Sequence, residues 1–487
     1  MPRRAAAYLA IAVIVAGAAA IALFAAAHPS YLVAPSAIGH FPSWLSGPLH
    51  LPGLIPAASD AHARTFVTVV LLVMGVAWLA AVALAEEIGA RALWGAVIGA
   101  HALALLAPPV IGTDVYNYLG YARLQALHHI NPYVHGMGAA PHDALYVWTS
   151  WHQLTSPYGP LFTLLVEPLG HVSIGVGVWA LKLLMTAASL AALWLVWVAA
   201  GRLGRSRQLA LAVCGLSPLW LIFALGGFHN DLLAAAALGG AVALVSVRRP
   251  ARAGVALIAG AAVKLTSVLL APLLVLGSGD RRGRLRALAA VIVAVLAVVA
   301  VALIVYGAHP PSVSSQSRFV ISLALPNDVG WLLGLRGVTP GVRLAFDALV
   351  VVTLLVGCVR VWRGADWLTW SAWVTLALLA SLTWLMPWYV VWLLPLAALA
   401  RSRAVLLTSL AMSAYELVMW APDTHTSIVD ALGLHAHNAS ILRNVDIGRA
   451  LHDSVAAGWP IALAVAAALL AAALVAATSL RTRRSAP

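Results

Sequence analysis

An all-α, polytopic membrane protein is the fold class this sequence predicts, on three observations. Of its 487 residues, 62% are hydrophobic and 9% charged, against about 25% charged in water-soluble domains. Apolar runs of about 20 residues, long enough to cross a ~30 Å hydrocarbon core, recur along nearly the whole chain. Arginines gather in short clusters between those runs, the positive-inside pattern of membrane proteins. The net charge of +13 therefore reports topology, and no nucleic-acid partner is expected.

The first run, 5–26, follows Arg3 and Arg4, is too long for a signal-peptide core, and reads as a retained signal anchor. Further spans are expected at 65–85, 92–109, 174–200, 208–225, 229–247, 285–306, 342–361, 367–385, 388–400, 404–421 and 456–479. Residues 252–276 break the alternation, because Arg248, Arg249 and Arg252 precede them and Arg281, Arg282, Arg284 and Arg286 follow. A single crossing would put one cluster outside. Two half-helices meeting near Lys264 restore parity, and irregular backbone at that depth is tolerated where protein buries it. The expectation is about twelve transmembrane helices plus a re-entrant hairpin, in one transmembrane domain over 1–480, with a cytoplasmic basic tail at 481–487. Cys214 and Cys358 each lie inside an apolar run and offer no disulfide framework; they read as small buried side chains.

With the arginines inside, the outward loops are 27–63, 110–157, 226–231, 307–341, 386–389 and 422–455. Of the 16 acidic residues in the chain, they carry Asp114, Asp143, Asp231, Asp328, Asp423, Asp430, Asp446 and Asp453 among others. Polar chemistry thus converges on one face, which predicts a site on the extracytoplasmic side of a plasma membrane, open to lipid.

The loop 110–157 opens with GTDVYNYLGYARLQALHHINPY, residues 112–133. An acid at the mouth of a membrane segment has little value for solubility, so Asp114 is the leading catalytic candidate. Helical spacing brings Tyr118, Tyr121 and Gln125 onto the face of Asp114, with Tyr116 and Arg123 to either side. An acid, phenols and an amide on one helix suit a sugar, since aromatic rings stack on pyranose faces and amides bond hydroxyls. The bland alternative for the tyrosines is an aromatic belt at the interface.

SPYGP, residues 156–160, holds Tyr158 in a rigid bend set by two prolines and a glycine. GGFHND, residues 226–231, places His229, Asn230 and Asp231 between two spans, where its glycines allow close backbone approach. A plain interhelical turn is the competing reading, since Asn and Asp favour turns. Histidines 128, 129, 135, 142 and 152 share one outward loop but lack the i, i+4 pairing with an acid that a zinc helix needs. Trp384, Trp388 and Trp392 are spaced to anchor short helices at the interface, with Trp388 and Tyr389 placed where a lipid-linked sugar would arrive. A sequon at Asn438 is read as inert in a bacterial host.

Asp114–Tyr118 with Asn131, Pro132 and Tyr133, then SPYGPLF, GGFHND, AAVKL around Lys264 and PWYVVWLLPL from Pro387 resemble the polyprenyl-phosphate-mannose-dependent α-1,6-mannosyltransferases of actinobacterial envelopes. The resemblance covers about residues 65–400 and lies within the GT-C class of membrane glycosyltransferases. It implies a polyprenyl-phosphate sugar donor, a glycan or glycolipid acceptor, membrane lipid around both, and an extracytoplasmic acid as base. Such a donor needs no nucleotide-binding fingerprint, and no credible copy of one is present. Asp114 would take the proton of the attacking hydroxyl with inversion at the anomeric carbon. The donor phosphate needs a cation, for which Arg123, Lys264, Arg318, Arg336, Arg343 and Arg443 are candidates, Arg318 first because it can clamp a phosphate bidentately. Lys264 is the costly one, since an ammonium at depth must be paired or hydrated; snorkelling to the inner headgroups is its bland reading. Some members of the class use a divalent cation, for which Asp114 and Asp231 are candidate ligands; no metal is assigned. Two alternatives stay open: another sugar, arabinofuranose or glucose, on the same chemistry, or a non-enzymatic carrier of a lipid-linked sugar. The lack of an internal repeat and the crowding of polar motifs on one face favour the enzyme.

Overall fold

The computed structural model describes residues 2–27, 32–33, 41–49, 59–309, 311 and 319–433, and every regular element among them is helical. Helices α1 (Pro2–Ala27), α2 (Ser43–Ser46), α3 (Asp60–Ala83) and α4 (Ala90–Leu106) form the N-terminal layer, with α1 packed on both α3 and α4. Gly17 permits the approach, because a Cβ there would stand 2.5 Å from Met74 Cγ. A polar excursion follows, with α5 (Asp114–Ala126) and α6 (Pro160–Val166), before the long α7 (Ile174–Arg202) and the short α8 (Arg207–Gly215). Then come α9 (Asp231–Ser246), α10 (Pro250–Ala261), α11 (Ala271–Gly277) and α12 (Arg281–Tyr306). The remaining helices are α13 (Leu325–Leu332), α14 (Pro340–Trp362), α15 (Trp367–Ser381), α16 (Val390–Leu399), α17 (Arg403–Trp420) and α18 (Pro422–Leu432).

Polar residues at the span edges set where helices begin. Ser59, Ser173, Ser206, Asp280, Thr339, Asp366 and Ser402 each accept a backbone N–H of the first turn of the helix that follows, satisfying a donor that has no intrahelical partner. The centre of the molecule is α9, which lies between α7 and α10, and α16, which packs on α8, α9 and α15. Every residue of α16 is buried, Pro395 included. At the periphery, the most apolar 18-residue stretch of α12 has 0% of its residues buried and that of α14 only 17%. Ile292, Leu296 and Ile304 are bare, a surface that water would penalise and a hydrocarbon solvent would not.

Five described helices are long and apolar enough to cross a membrane, or seven if each of two bent pairs counts as one span. Several expected spans instead form shorter apolar helices, Ala90–Leu106, Asp231–Ser246, Trp367–Ser381 and Pro387–Leu399 among them. The expected single span 208–225 is two segments bent by 49°, because the chain changes after Pro218 into a π-helical turn, Leu219–Leu225. The hairpin region does split as the charge parity requires. Helix α10 ends at Ala261, Lys264 is extended, and a 3-10 turn, Leu265–Leu270, leads into α11. The expected span 456–479, the tail 481–487, the sequon, Arg318 and Arg443 lie outside the described residues.

Candidate active site

The approach to Asp114 is fixed by partners on other elements. The buried Lys182 of α7 donates its ammonium to the Ala107 carbonyl at 2.7 Å and lies 3.7 Å from the Trp179 ring centroid. Beyond it, Val110 N–H donates to the Gly226 carbonyl and Ile111 N–H to that of Leu32. Asp114 then opens α5, where the helix N-terminus favours a negative charge.

The turn GGFHND comes to the same place by a backbone irregularity. The π-helical turn continues in two i to i−5 bonds, Gly226 N–H to Leu221 O and His229 N–H to Ala224 O, a wide turn common at functional sites. Phe228 follows at φ 52. Gly227 is required here, since a Cβ would stand 2.5 Å from His229 Nε2 and 2.8 Å from the Phe223 carbonyl. His229 is wholly buried and stacks on Trp388 with ring centroids 3.7 Å apart. Its Nδ1 lies 2.9 Å from Asp114 Oδ2, an ion-pair distance at which the N–H is not aligned for a good hydrogen bond.

Burial pushes the Asp114 carboxyl up, but the His229 contact and the charges of His229 and Lys264 more than offset it and hold the group below its ordinary value. Its side chain is 20% exposed. The Tyr158 hydroxyl reaches Asp114 Oδ1 at 3.4 Å. Burial and the Asp114 charge push the Tyr158 phenol well up, so it stays a neutral donor. Tyr118 packs edge-on against Tyr158 and Phe162; its oxygen accepts the Asn230 N–H at 3.0 Å. The acid, the SPYGP bend and the GGFHND turn are therefore one cluster.

Lys264 enters from the broken pair α10–α11. The Gly159 and Leu161 N–H groups donate to the carbonyls of Val263 and Ala262, so the SPYGP bend satisfies the backbone where α10 breaks. A Cβ at Gly159 would stand 2.1 Å from the Ala262 oxygen. The Lys264 ammonium lies 2.9 Å from Asp231 Oδ2 and 4.7 Å from the Tyr389 ring centroid, and its side chain is 18% exposed. Asp231 is wholly buried, and its other oxygen accepts the Trp392 indole N–H at 2.8 Å. Trp392 and Tyr389 stack at 4.3 Å. Each Asp231 oxygen thus holds one partner, and no three His, Cys, Asp or Glu side chains converge as a cage among the described residues.

The structure thus brings together Asp114, Tyr118, Tyr158, His229, Asn230, Asp231, Lys264, Trp388 and Tyr389. It places three other candidates elsewhere. Arg123 donates through Nε to both oxygens of Asp143, at 3.0 and 3.1 Å. Gln125 sits near the far end of α5, about 16 Å of helix from Asp114 at ~1.5 Å per residue, with Oε1 buried on the side of the Tyr306 phenol. Tyr116 is buried between Trp44 and Trp148 on another face of α5. Trp392, which its spacing marks only as an interface anchor, becomes a partner of Asp231 through the pairing of α16 with α9.

Comparison with known proteins gives the family. A family model described as alpha-(1→6)-mannopyranosyltransferase, N-terminal domain, matches residues 14–278, which include Asp114, the GGFHND turn and Lys264. The chain is 30% identical over 363 residues to alpha-(1→6)-mannopyranosyltransferase A of Mycobacterium tuberculosis, covering 66% of this chain and 67% of that one. It is 29% identical over 176 residues to the protein of the same name from Corynebacterium glutamicum, 35% of this chain and 36% of that one. Alpha-(1→6)-mannopyranosyltransferase B of the same organism is 28% identical over 134 residues, 26% of this chain and 22% of the relative. No solved structure matches the chain. The match spans more than half of the sequence, and with the apolar helices it shows a multi-pass membrane hexosyltransferase that belongs to the alpha-(1→6)-mannopyranosyltransferase family.

Proposed function

We propose that the protein transfers mannose from polyprenyl-phosphate mannose to an α-1,6-mannan or lipid-linked glycan at the extracytoplasmic face of the plasma membrane. The observation that carries this reading is one cluster in which a partly exposed Asp114 contacts His229 and Tyr158 and feels the charge of Lys264, itself held by Asp231. Asp114 takes the proton of the acceptor hydroxyl as its oxygen bonds to the anomeric carbon. The bond from that carbon to the phosphate oxygen breaks with its electron pair, and configuration inverts. Positioned base catalysis of this kind is worth roughly 10² to 10⁴ in rate. The leaving polyprenyl phosphate gains negative charge, which the Lys264 ammonium meets. Asp231 takes one of its three donors and aims the head group, leaving two. One displacement needs no second carboxylate, unlike a retaining glycosidase.

The test is transfer of radiolabelled mannose from polyprenyl-phosphate mannose to a short α-1,6-mannoside, in membranes holding wild type or Asp114→Asn at matched protein levels. Loss of transfer with donor binding retained is expected. Equal activity in both would remove Asp114 from the base role, and no transfer by wild type would remove the donor or the sugar. For the sidedness, His142→Cys in the 110–157 loop should react with a membrane-impermeant maleimide applied to intact cells; protection there together with labelling in inverted vesicles would place the site inside.

A further inference from the structure

The structure holds a half-exposed aromatic group that the chemistry above leaves unused. Trp151, Phe319 and Trp384 meet with ring centroids 5.7 Å (Trp151–Phe319), 5.5 Å (Trp151–Trp384) and 5.0 Å (Phe319–Trp384) apart. Phe319 is buried beneath, whereas both tryptophans remain part-exposed. The arrangement is built: Thr383 donates its hydroxyl to the Phe319 carbonyl at 2.8 Å, and its own carbonyl accepts the Ile321 N–H at 2.9 Å. Trp151 is held at φ 61, a left-handed conformation that a bulky residue adopts only when its surroundings impose it.

Two links tie this group to the elements that carry Asp114 and Lys264. Ser150, the residue before Trp151, meets the Thr113 hydroxyl and donates its N–H to Asn117 Oδ1 at 3.0 Å. Trp384 begins the segment whose Trp388 stacks on His229 and whose Tyr389 and Trp392 face Lys264. Along that one segment the order is aromatic pair, then the histidine beside the acid, then the cation. A phosphate drawn to Lys264 leaves the aromatic end to the other substrate.

We propose that Trp151 and Trp384 form a subsite for the acceptor, stacking on a mannose residue next to the one that carries the attacking hydroxyl. This deepens the transferase reading and rests on it. Indole faces suit the C–H faces of pyranoses, and a ring beyond the reacting sugar would give the enzyme its preference for a chain over a single mannoside.

The test measures kcat/KM with methyl α-mannoside and with α-1,6-mannotriose for wild type, Trp384→Ala, Trp151→Ala and Trp384→Phe, alongside the donor KM. Either alanine variant should lose the preference for the trisaccharide by about tenfold, the loss of one stacking contact, with the donor KM shifted less than twofold. Trp384→Phe should restore most of it, which separates loss of a ring from loss of the fold. An unchanged preference, or equal losses with both acceptors, overturns the subsite. Saturation-transfer NMR of mannotriose with the purified protein gives a readout independent of turnover. If wild type transfers no mannose yet shows saturation transfer that Trp384→Ala abolishes, the subsite stands and the donor reading falls. Absence of the signal from wild type, or its persistence in Trp384→Ala, overturns the subsite.

Discussion

The two ends of α5 hold two carboxylates in opposite conditions. At the last turn, Asp143 is 1% exposed and accepts from Arg123, His128 and the Leu145 N–H, all within 3.1 Å. At the first turn, Asp114 is 20% exposed, with His229 off line and Tyr158 at a long 3.4 Å. Both carboxyls are held below the ordinary value against the upward push of burial, Asp143 by Arg123 and His128, Asp114 by His229 and Lys264. A low value alone therefore does not mark a catalytic acid. What separates the two is exposure and partners: Asp114 keeps part of its carboxylate bare, whereas both Asp143 oxygens are taken.

The sharpest way to break this comparison is to neutralise each acid in turn. Asp114→Asn should cut mannose transfer by roughly 10² to 10⁴ with the folded yield in detergent unchanged. Asp143→Asn should keep its activity per folded molecule and instead lower stability by about 2 kcal/mol, the order expected when hydrogen bonds to a charged group are lost, read as a drop in thermal midpoint. Reversal of that pattern would exchange the roles.

Lys264→Gln should weaken donor binding by about ten- to a hundredfold, the worth of charge-assisted hydrogen bonds, read as donor KM, and Lys264→Arg should recover only part of it. A smaller effect is expected of Gly227→Ala, whose Cβ would meet His229 Nε2 at 2.5 Å. The ring must shift from Asp114, and transfer should fall about tenfold; full activity would show that the His229 contact has no part in the rate.

The smallest expected effect is a pH shift with a fixed sign. A carboxyl held low serves as a base throughout the range above its own value, so activity is lost only as pH falls through that value. Removing His229 as His229→Gln lets the Asp114 value rise, and the acid limb of kcat/KM should move to higher pH. For Asp143 the same sign governs stability. Its contribution is present above the unfolded carboxylate value and is lost as pH falls through the folded one. An acid limb that moves with Asp143 variants rather than with His229 would join the two ends that the geometry separates.

Much of this was legible in the sequence. Asp114 at a loop mouth, the glycines and polar trio of GGFHND, and a break near Lys264 demanded by arginine parity all depend on neighbouring residues, and the helices start and break accordingly. Periodicity sets Arg123 beside the face of Asp114 but carries no information that Asp143, 20 positions on, returns to claim the guanidinium. Trp151 gave no signal beyond being a loop tryptophan, since its left-handed backbone and its neighbours Phe319 and Trp384 come from the fold.

The sequence by itself determined that the chain is helical and membrane-bound, where its polar loops lie, and which acid opens the first of them. Hydropathy, charge parity and capping residues act over one span at a time, so they can be read in order. Only the tertiary structure decided that Lys264 meets Asp231, 33 positions away, that Tyr158 meets Asp114 across 44, and that Trp392 fixes Asp231 across 161. Such pairs depend on which helices pack side by side, and in a hydrocarbon solvent that choice rests on shape and on the need of each buried polar group for a partner.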